Sequence, residues 1–119
     1  NRCLLTGRPR GGYRKFGTER KEAESLYTDA ISLEEAGCFA VIAEMIESKV
    51  AAVLASQITP PLIGIGSGPN CDGQILVTQD LLGLTAKGVP SFVSPYANLA
   101  KDASVALSRY VGDIRNKRK

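Results

Sequence analysis

Apolar residues follow two different periods in the first half of the chain. From Thr18 to Gly37 they recur at spacings of three and four, which predicts an amphipathic helix. Thr18 is a suitable N-cap, and Gly37 is a suitable left-handed stop. Cys38 to Ala43, CFAVIA, is instead continuously apolar, as is typical of a strand buried on both faces of a parallel sheet. The helix's apolar face would hold Ala23, Leu26, Ala30 and Leu33.

The same order of elements then repeats. Glu47 to Gln57 predicts a second helix, which ends before Pro60 and Pro61 because proline has no N–H to donate. Leu62 to Ile65, LIGI, predicts a second buried strand, and Ile75 to Val77 a third.

A last helix is predicted near the end of the chain. Ser94 and Pro95 suit its N-cap and first position. Its apolar face would hold Tyr96, Leu99, Ala103, Leu107, Tyr110 and Ile114.

This alternation predicts an α/β fold, with parallel strands covered by helices. Three strands cannot close a barrel, so the predicted sheet is incomplete. Residues 1–17 show no regular period and contain four glycines and one proline, which indicates an irregular basic arm. We therefore predict an arm over residues 1–17, an α/β domain over residues 18–114, and a basic tail over residues 115–119.

Charge is unevenly distributed along the 119 residues. Residues 1–21 hold seven basic and one acidic side chain, and residues 115–119 hold four basic ones. Between them, residues 22–114 carry eleven acidic and four basic side chains. An acidic body with basic ends differs from a domain that binds nucleic acid over its whole surface. Any RNA contact is therefore expected within residues 1–21.

Composition excludes several kinds of site. The chain has no histidine, which excludes histidine bases and histidine-ligated zinc. Cys3, Cys38 and Cys71 form no C-x-x-C pair, as a redox or zinc site would need. No apolar run is long enough for a membrane span or a signal peptide, so we expect a cytoplasmic protein with no membrane partner.

Two sequence features lie where parallel sheets bind ligands, at the carboxyl ends of strands. Glu44 directly follows FAVIA, where a carboxylate could act as a general base or cap the next helix. Gly64 to Gln74 forms a glycine-rich turn that lacks the lysine of a phosphate-binding loop. These glycines would let the backbone approach a substrate or form a tight turn, so Gly64, Gly66 and Ser67 are candidate substrate-binding residues.

Three blocks of sequence resemble the ketopantoate hydroxymethyltransferase family. They are EAGCFAVIAE (35–44), PLIGIGSGPNCDGQILV (61–77) and DLLGL (80–84), and the resemblance extends over residues 18–111. It implies the C-terminal part of a (βα)8 TIM-type barrel. It also implies transfer of a hydroxymethyl group from 5,10-methylenetetrahydrofolate to 3-methyl-2-oxobutanoate in pantothenate biosynthesis, with Mg²⁺ holding the keto acid and Glu44 as the base.

The chain departs from the family pattern at several places. The family's metal-binding carboxylates lie in the first half of the barrel, and we identify no counterpart for them here. Gln79 stands where a histidine is common, and Ser91, Ser94 and Pro95 interrupt a usually basic run. We therefore expect a truncated or divergent copy that is inactive alone and forms homo-oligomers.

Residues 1–17 also resemble the core motif of a bacterial small-subunit ribosomal protein family. That resemblance implies RNA contacts by Arg8, Arg10, Tyr13, Arg14 and Lys15. The same segment shares L-T and G-G-Y-R elements with the transferase family. A solvated arm with no partner, and a non-catalytic α/β interaction fragment, are further alternatives.

Overall fold

The computed structural model describes residues 2–6, 14–85 and 88–117. The chain forms two compact units, Asn1–Ile75 and Leu76–Lys119. The first unit contains a four-stranded sheet and two helices, and its strands lie in chain order with every neighbouring pair parallel. The strands are β1 (Arg2–Thr6), β2 (Ala40–Glu44), β3 (Leu62–Ile65) and β4 (Gly73–Gln74), and the helices are α1 (Arg20–Glu35) and α2 (Ser48–Gln57).

Strand β1 corrects the prediction of an irregular arm for residues 2–6, whereas residues 7–13 of that arm lie outside the described residues. Arg2–Thr6 pairs in parallel with β2 along its whole length, from Arg2 opposite Ala40 to Thr6 opposite Glu44. Phe16 also forms an isolated parallel bridge with Ile46. The strand is stabilised by a partner some forty residues away, so the local sequence period does not reveal it.

Burial alternates along the two central strands. In β2, Val41 and Ala43 are fully buried, and in β3 Leu62 is fully buried. Their neighbours Ile42 and Ile63 are only half-buried. The prediction that both faces are buried is therefore wrong, because the described helices pack the core against one face. Core residues supplied by the two helices are Leu26, Ala30, Ala51 and Leu54.

The helix and strand ends differ in part from the predicted ones. Gly37 adopts the expected left-handed backbone, with φ of 78°, but α1 has Glu19 rather than Thr18 at its N-cap. Helix α2 occupies the predicted region and ends at Gln57. The strand predicted at Ile75–Val77 is absent there, and the nearest strand is β4 at Gly73–Gln74.

The second unit contains the short helix α3 (Thr78–Leu81) and the long helix α4 (Leu99–Lys117). Helix α4 starts five residues after the predicted N-cap Ser94. Asn98 is the cap instead, because its side-chain oxygen accepts the Lys101 N–H at 3.3 Å. Tyr96 lies outside the helix, and its N–H donates to the Leu81 carbonyl at 2.8 Å.

Helix α4 has no buried side chain. The predicted apolar residues within it form one stripe, and Leu107 and Tyr110 are each more than half exposed. Within the described part of the chain, no helix is both long enough and apolar enough to cross a membrane.

Candidate active site

Glu44 is the last residue of β2 and lies at the carboxyl end of the parallel sheet. It stands opposite Thr6 of β1 and Ile65 of β3 in the strand register. Its side chain is half-buried. The structure thus places Glu44 in the region where parallel α/β sheets bind ligands, as the sequence predicted.

The residue after Glu44 has an unusual backbone. Met45 has φ of 56° and is the one non-glycine residue with positive φ among those the structure describes. Its N–H donates to the Ile65 carbonyl at 2.9 Å, and its carbonyl accepts the Phe16 N–H at 2.8 Å. Left-handed backbone is unfavourable for a long side chain unless surrounding contacts hold it. No local sequence pattern indicates the left-handed backbone at Met45.

Ser67 supports the same turn from the glycine-rich segment. Its side chain is fully buried. Its hydroxyl donates to the Ala43 carbonyl at 2.7 Å and accepts the Ile46 N–H at 3.0 Å. Both contacts are to backbone groups beside Glu44, so the hydroxyl has a structural function at this site. Direct contact between Ser67 and substrate stays a prediction.

Gly64 and Gly66 meet different physical requirements. Gly64 is buried, and a Cβ there would lie 2.8 Å from Cys71 Sγ and 3.2 Å from Gln74 Oε1. Gly66 has φ of 66°, which favours glycine. These needs of close packing and of a left-handed turn explain both glycines. Their contact with substrate also stays a prediction.

Cys71 is not an activated nucleophile. Burial raises the pKa of its thiol, and the negative charge of Asp72 raises it further. The reactive thiolate is therefore disfavoured near neutral pH. Asp72 itself accepts the Leu62 N–H at 2.8 Å, which ties the glycine-rich turn to the start of β3.

Cys38 is buried and disulfide-bonded.

The described residues hold no cluster of side chains that could bind a metal ion by itself. Residues 2–6, 14–85 and 88–117 contain no group of three or more histidine, cysteine, aspartate or glutamate side chains able to hold a metal. Among these side chains, magnesium prefers the carboxylate oxygens of aspartate and glutamate. We therefore derive no metal-dependent step from this part of the chain.

Arg14, a predicted RNA contact, makes contacts within the chain, and its contact with RNA stays a prediction. Its guanidinium hydrogen-bonds both carboxylate oxygens of Glu22, one of them at 3.2 Å, and lies 5.4 Å from the centre of the Phe16 ring. Lys15 is exposed. The other predicted RNA contacts, Arg8, Arg10 and Tyr13, lie outside the described residues.

Most of the chain is similar to known proteins of one family. The family described as "Ketopantoate hydroxymethyltransferase" matches residues 7–118. Three proteins named 3-methyl-2-oxobutanoate hydroxymethyltransferase each align with 88% of the chain. Over the aligned residues the chain is 48% identical to the protein of Gloeobacter violaceus, 47% to that of Chlorobaculum parvum and 46% to that of Geotalea daltonii. The matched region is 40%, 38% and 39% of those proteins. The chain thus spans about two fifths of the length of these curated relatives.

The family match begins at residue 7 and so includes most of the segment that resembles a ribosomal protein. This overlap favours the transferase family as the source of residues 7–17. Phe16 of this segment also pairs with Ile46, two residues after Glu44.

Proposed function

We propose that this chain contributes to ketopantoate formation as the C-terminal part of a (βα)8 barrel, because it belongs to the ketopantoate hydroxymethyltransferase family. The reaction transfers a hydroxymethyl group from 5,10-methylenetetrahydrofolate to 3-methyl-2-oxobutanoate. The observation that supports this role most directly is Glu44, a carboxylate at the carboxyl end of a central parallel strand.

Glu44 would act as the general base. Its carboxylate takes the proton from C3 of 3-methyl-2-oxobutanoate, and the C–H electron pair moves into the adjacent ketone to give an enolate. C3 then forms a bond to the methylene carbon of 5,10-methylenetetrahydrofolate, and the two bonds from that carbon to folate nitrogens break. Water supplies the hydroxyl oxygen of the new hydroxymethyl group, and tetrahydrofolate leaves with its two nitrogens protonated. A positioned carboxylate at the proton-transfer step contributes about 10²–10⁴-fold to the rate.

The remaining groups of the active site would come from barrel residues beyond this region. The family resemblance implies Mg²⁺ at the keto acid, and the described residues supply no cluster for it. We accordingly expect the chain alone to show no turnover. Activity is expected once the first part of a related barrel is supplied.

The test combines this chain with the part of the Gloeobacter violaceus protein that lies outside the match. Proton NMR follows exchange of the C3 proton of 3-methyl-2-oxobutanoate in D₂O, with Mg²⁺ present, and ketopantoate formation is measured after methylenetetrahydrofolate is added. The exchange isolates the step assigned to Glu44.

The expected result is exchange that Glu44→Gln lowers about 100-fold or more. Glu35→Gln is the matched control, because Glu35 is an exposed carboxylate at the end of α1, and it should leave the rate unchanged. Equal exchange by the wild type and by Glu44→Gln would show that Glu44 is not the base.

A further inference from the structure

We propose that Ser67 is a positioning residue for Glu44, a role that rests on the proposed function of Glu44 as the base. The Ser67 hydroxyl bridges the Ala43 carbonyl and the Ile46 N–H. Between these two backbone groups lie only Glu44 and Met45. One buried side chain therefore fixes the backbone on both sides of the candidate base.

The backbone between the two contacts needs such support. Met45 holds a left-handed conformation that its side chain disfavours. Its own N–H and carbonyl are held by Ile65 and Phe16, and Ser67 satisfies the next N–H, that of fully buried Ile46. Without the hydroxyl, that buried N–H would lose its hydrogen bond, which is costly enough to favour a changed turn.

Ser67 is itself fixed by the glycines on either side. Gly66 and Gly68 have φ of 66° and 87°, so both use the left-handed backbone that glycine tolerates. Gly68 also packs closely on Ser48 of α2, since a Cβ at Gly68 would lie 2.6 Å from the Ser48 Cβ. These constraints hold residues 66–68 in place, and so they hold the Ser67 hydroxyl against the backbone on either side of Glu44 and Met45.

Two variants and one control test this proposal. Ser67→Ala removes both hydrogen bonds. Ser67→Cys keeps a weak donor and acceptor of similar size. Ser56→Ala is the control, because the exposed Ser56 hydroxyl bonds only the Val53 carbonyl of its own helix. NMR of the chain follows the backbone of Met45 through its Cα shift and its intraresidue Hα–HN contact, which report left-handed φ.

The C3 proton exchange assay, run with the supplied barrel part, gives the second measurement. Ser67→Ala should lose the left-handed signature of Met45 and lower kcat for exchange about tenfold or more, with KM within about twofold, because a misplaced base slows chemistry more than binding. Ser67→Cys should fall between the wild type and Ser67→Ala. Ser56→Ala should match the wild type in both measurements.

The proposal is overturned if Ser67→Ala keeps both the Met45 signature and the exchange rate of the wild type. If Ser67→Ala does not fold, the same comparison is made with Ser67→Cys, and wild-type values in both measurements overturn the proposal. Failure of the proposed function looks different: Glu44→Gln then exchanges as fast as the wild type, while the NMR comparison still shows whether Ser67 holds the turn.

Discussion

The Arg14 guanidinium hydrogen-bonds both oxygens of the Glu22 carboxylate, which joins the segment before α1 to the first turn of that helix. The Gly17 N–H adds a third hydrogen bond to Glu22, at 3.0 Å. The hydrogen bond from Arg14 is the main reason that the pKa of Glu22 lies below its usual range, and the Gly17 N–H lowers it further.

This shift predicts how stability depends on pH. A carboxylate whose pKa is lower in the folded state stabilises the fold above its unfolded pKa, about 4.3 for glutamate. That contribution is lost as pH falls through the lower folded pKa. Glu22→Gln should therefore be less stable than the wild type at pH 6, and the difference should shrink at pH 3. Urea unfolding at the two pH values measures it.

Glu24→Gln is the control for this comparison. Glu24 is paired with Arg20 at 2.8 Å, but both side chains are largely exposed, and exposed pairs contribute little. Its unfolding curve should stay close to that of the wild type at both pH values. A difference between wild type and Glu22→Gln that is the same at pH 3 and pH 6 would contradict the assigned role of the Arg14 hydrogen bond.

Sequence patterns predicted the helices and strands that depend on residues close together in the chain. The second helix and the strand LIGI follow from apolar spacing and from the prolines between them, and the structure has both in the predicted region. The place of Glu44 at a strand's carboxyl end followed from the same pattern. Its position left the roles of general base and helix cap open, and the family resemblance favoured the base.

Features that depend on distant partners were not predictable in this way. Strand β1 exists because Arg2–Thr6 pairs with β2, and the left-handed Met45 is held by Phe16 and Ile65. The start of α4 was misplaced for a different reason. Asn98 and Ser94 are both good N-caps by residue type, and the backbone bonds from Leu99 and Ala100 to the preceding loop favour Asn98.

Leu54→Ala should destabilise the first unit strongly. Leu54 is 1% exposed and belongs to the core beneath the sheet. Loss of a buried leucine side chain leaves a cavity and costs about 2–5 kcal/mol. Val53→Ala on the same helix is the control, because Val53 is 40% exposed, and it should cost clearly less. Comparable free energies of unfolding for the two variants would contradict this core.

Gly68→Ala should also be destabilising, for a local reason. Gly68 has φ of 87°, and an added Cβ would lie 2.6 Å from the Ser48 Cβ. Both the backbone and the packing oppose alanine, at a cost of about 1–3 kcal/mol. Gly112→Ala provides the opposite case, since Gly112 lies within α4 with nothing near its Cβ position. It should gain up to about 1 kcal/mol in helix stability.

Thermal unfolding of the two alanine variants measures this contrast. The transition of Gly68→Ala should move down, and that of Gly112→Ala should stay or move up. A Gly68→Ala protein as stable as the wild type would show that the turn beside Ser67 can relax without cost.

Two features of the described structure predict that the chain self-associates. Strands β1 and β4 are the outer strands of the sheet, and outer strands present unpaired backbone groups to other chains. Helix α4 adds an exposed apolar stripe formed by Leu99, Ala103, Leu107, Tyr110 and Ile114, and stripes of this kind favour association.

Sedimentation over a tenfold concentration range should show species larger than the 12.7 kDa monomer. Leu107→Glu places a charge in the stripe of α4 and should shift the distribution toward monomer. Val105→Glu is the matched control: Val105 is 62% exposed on the same helix, but two residues, about 200° of helical rotation, separate it from Leu107. An equal response to both substitutions would indicate a general effect of charge. A wild-type chain that stays monomeric at every concentration would contradict the prediction. It would show that neither the outer strands nor the stripe of α4 drives association.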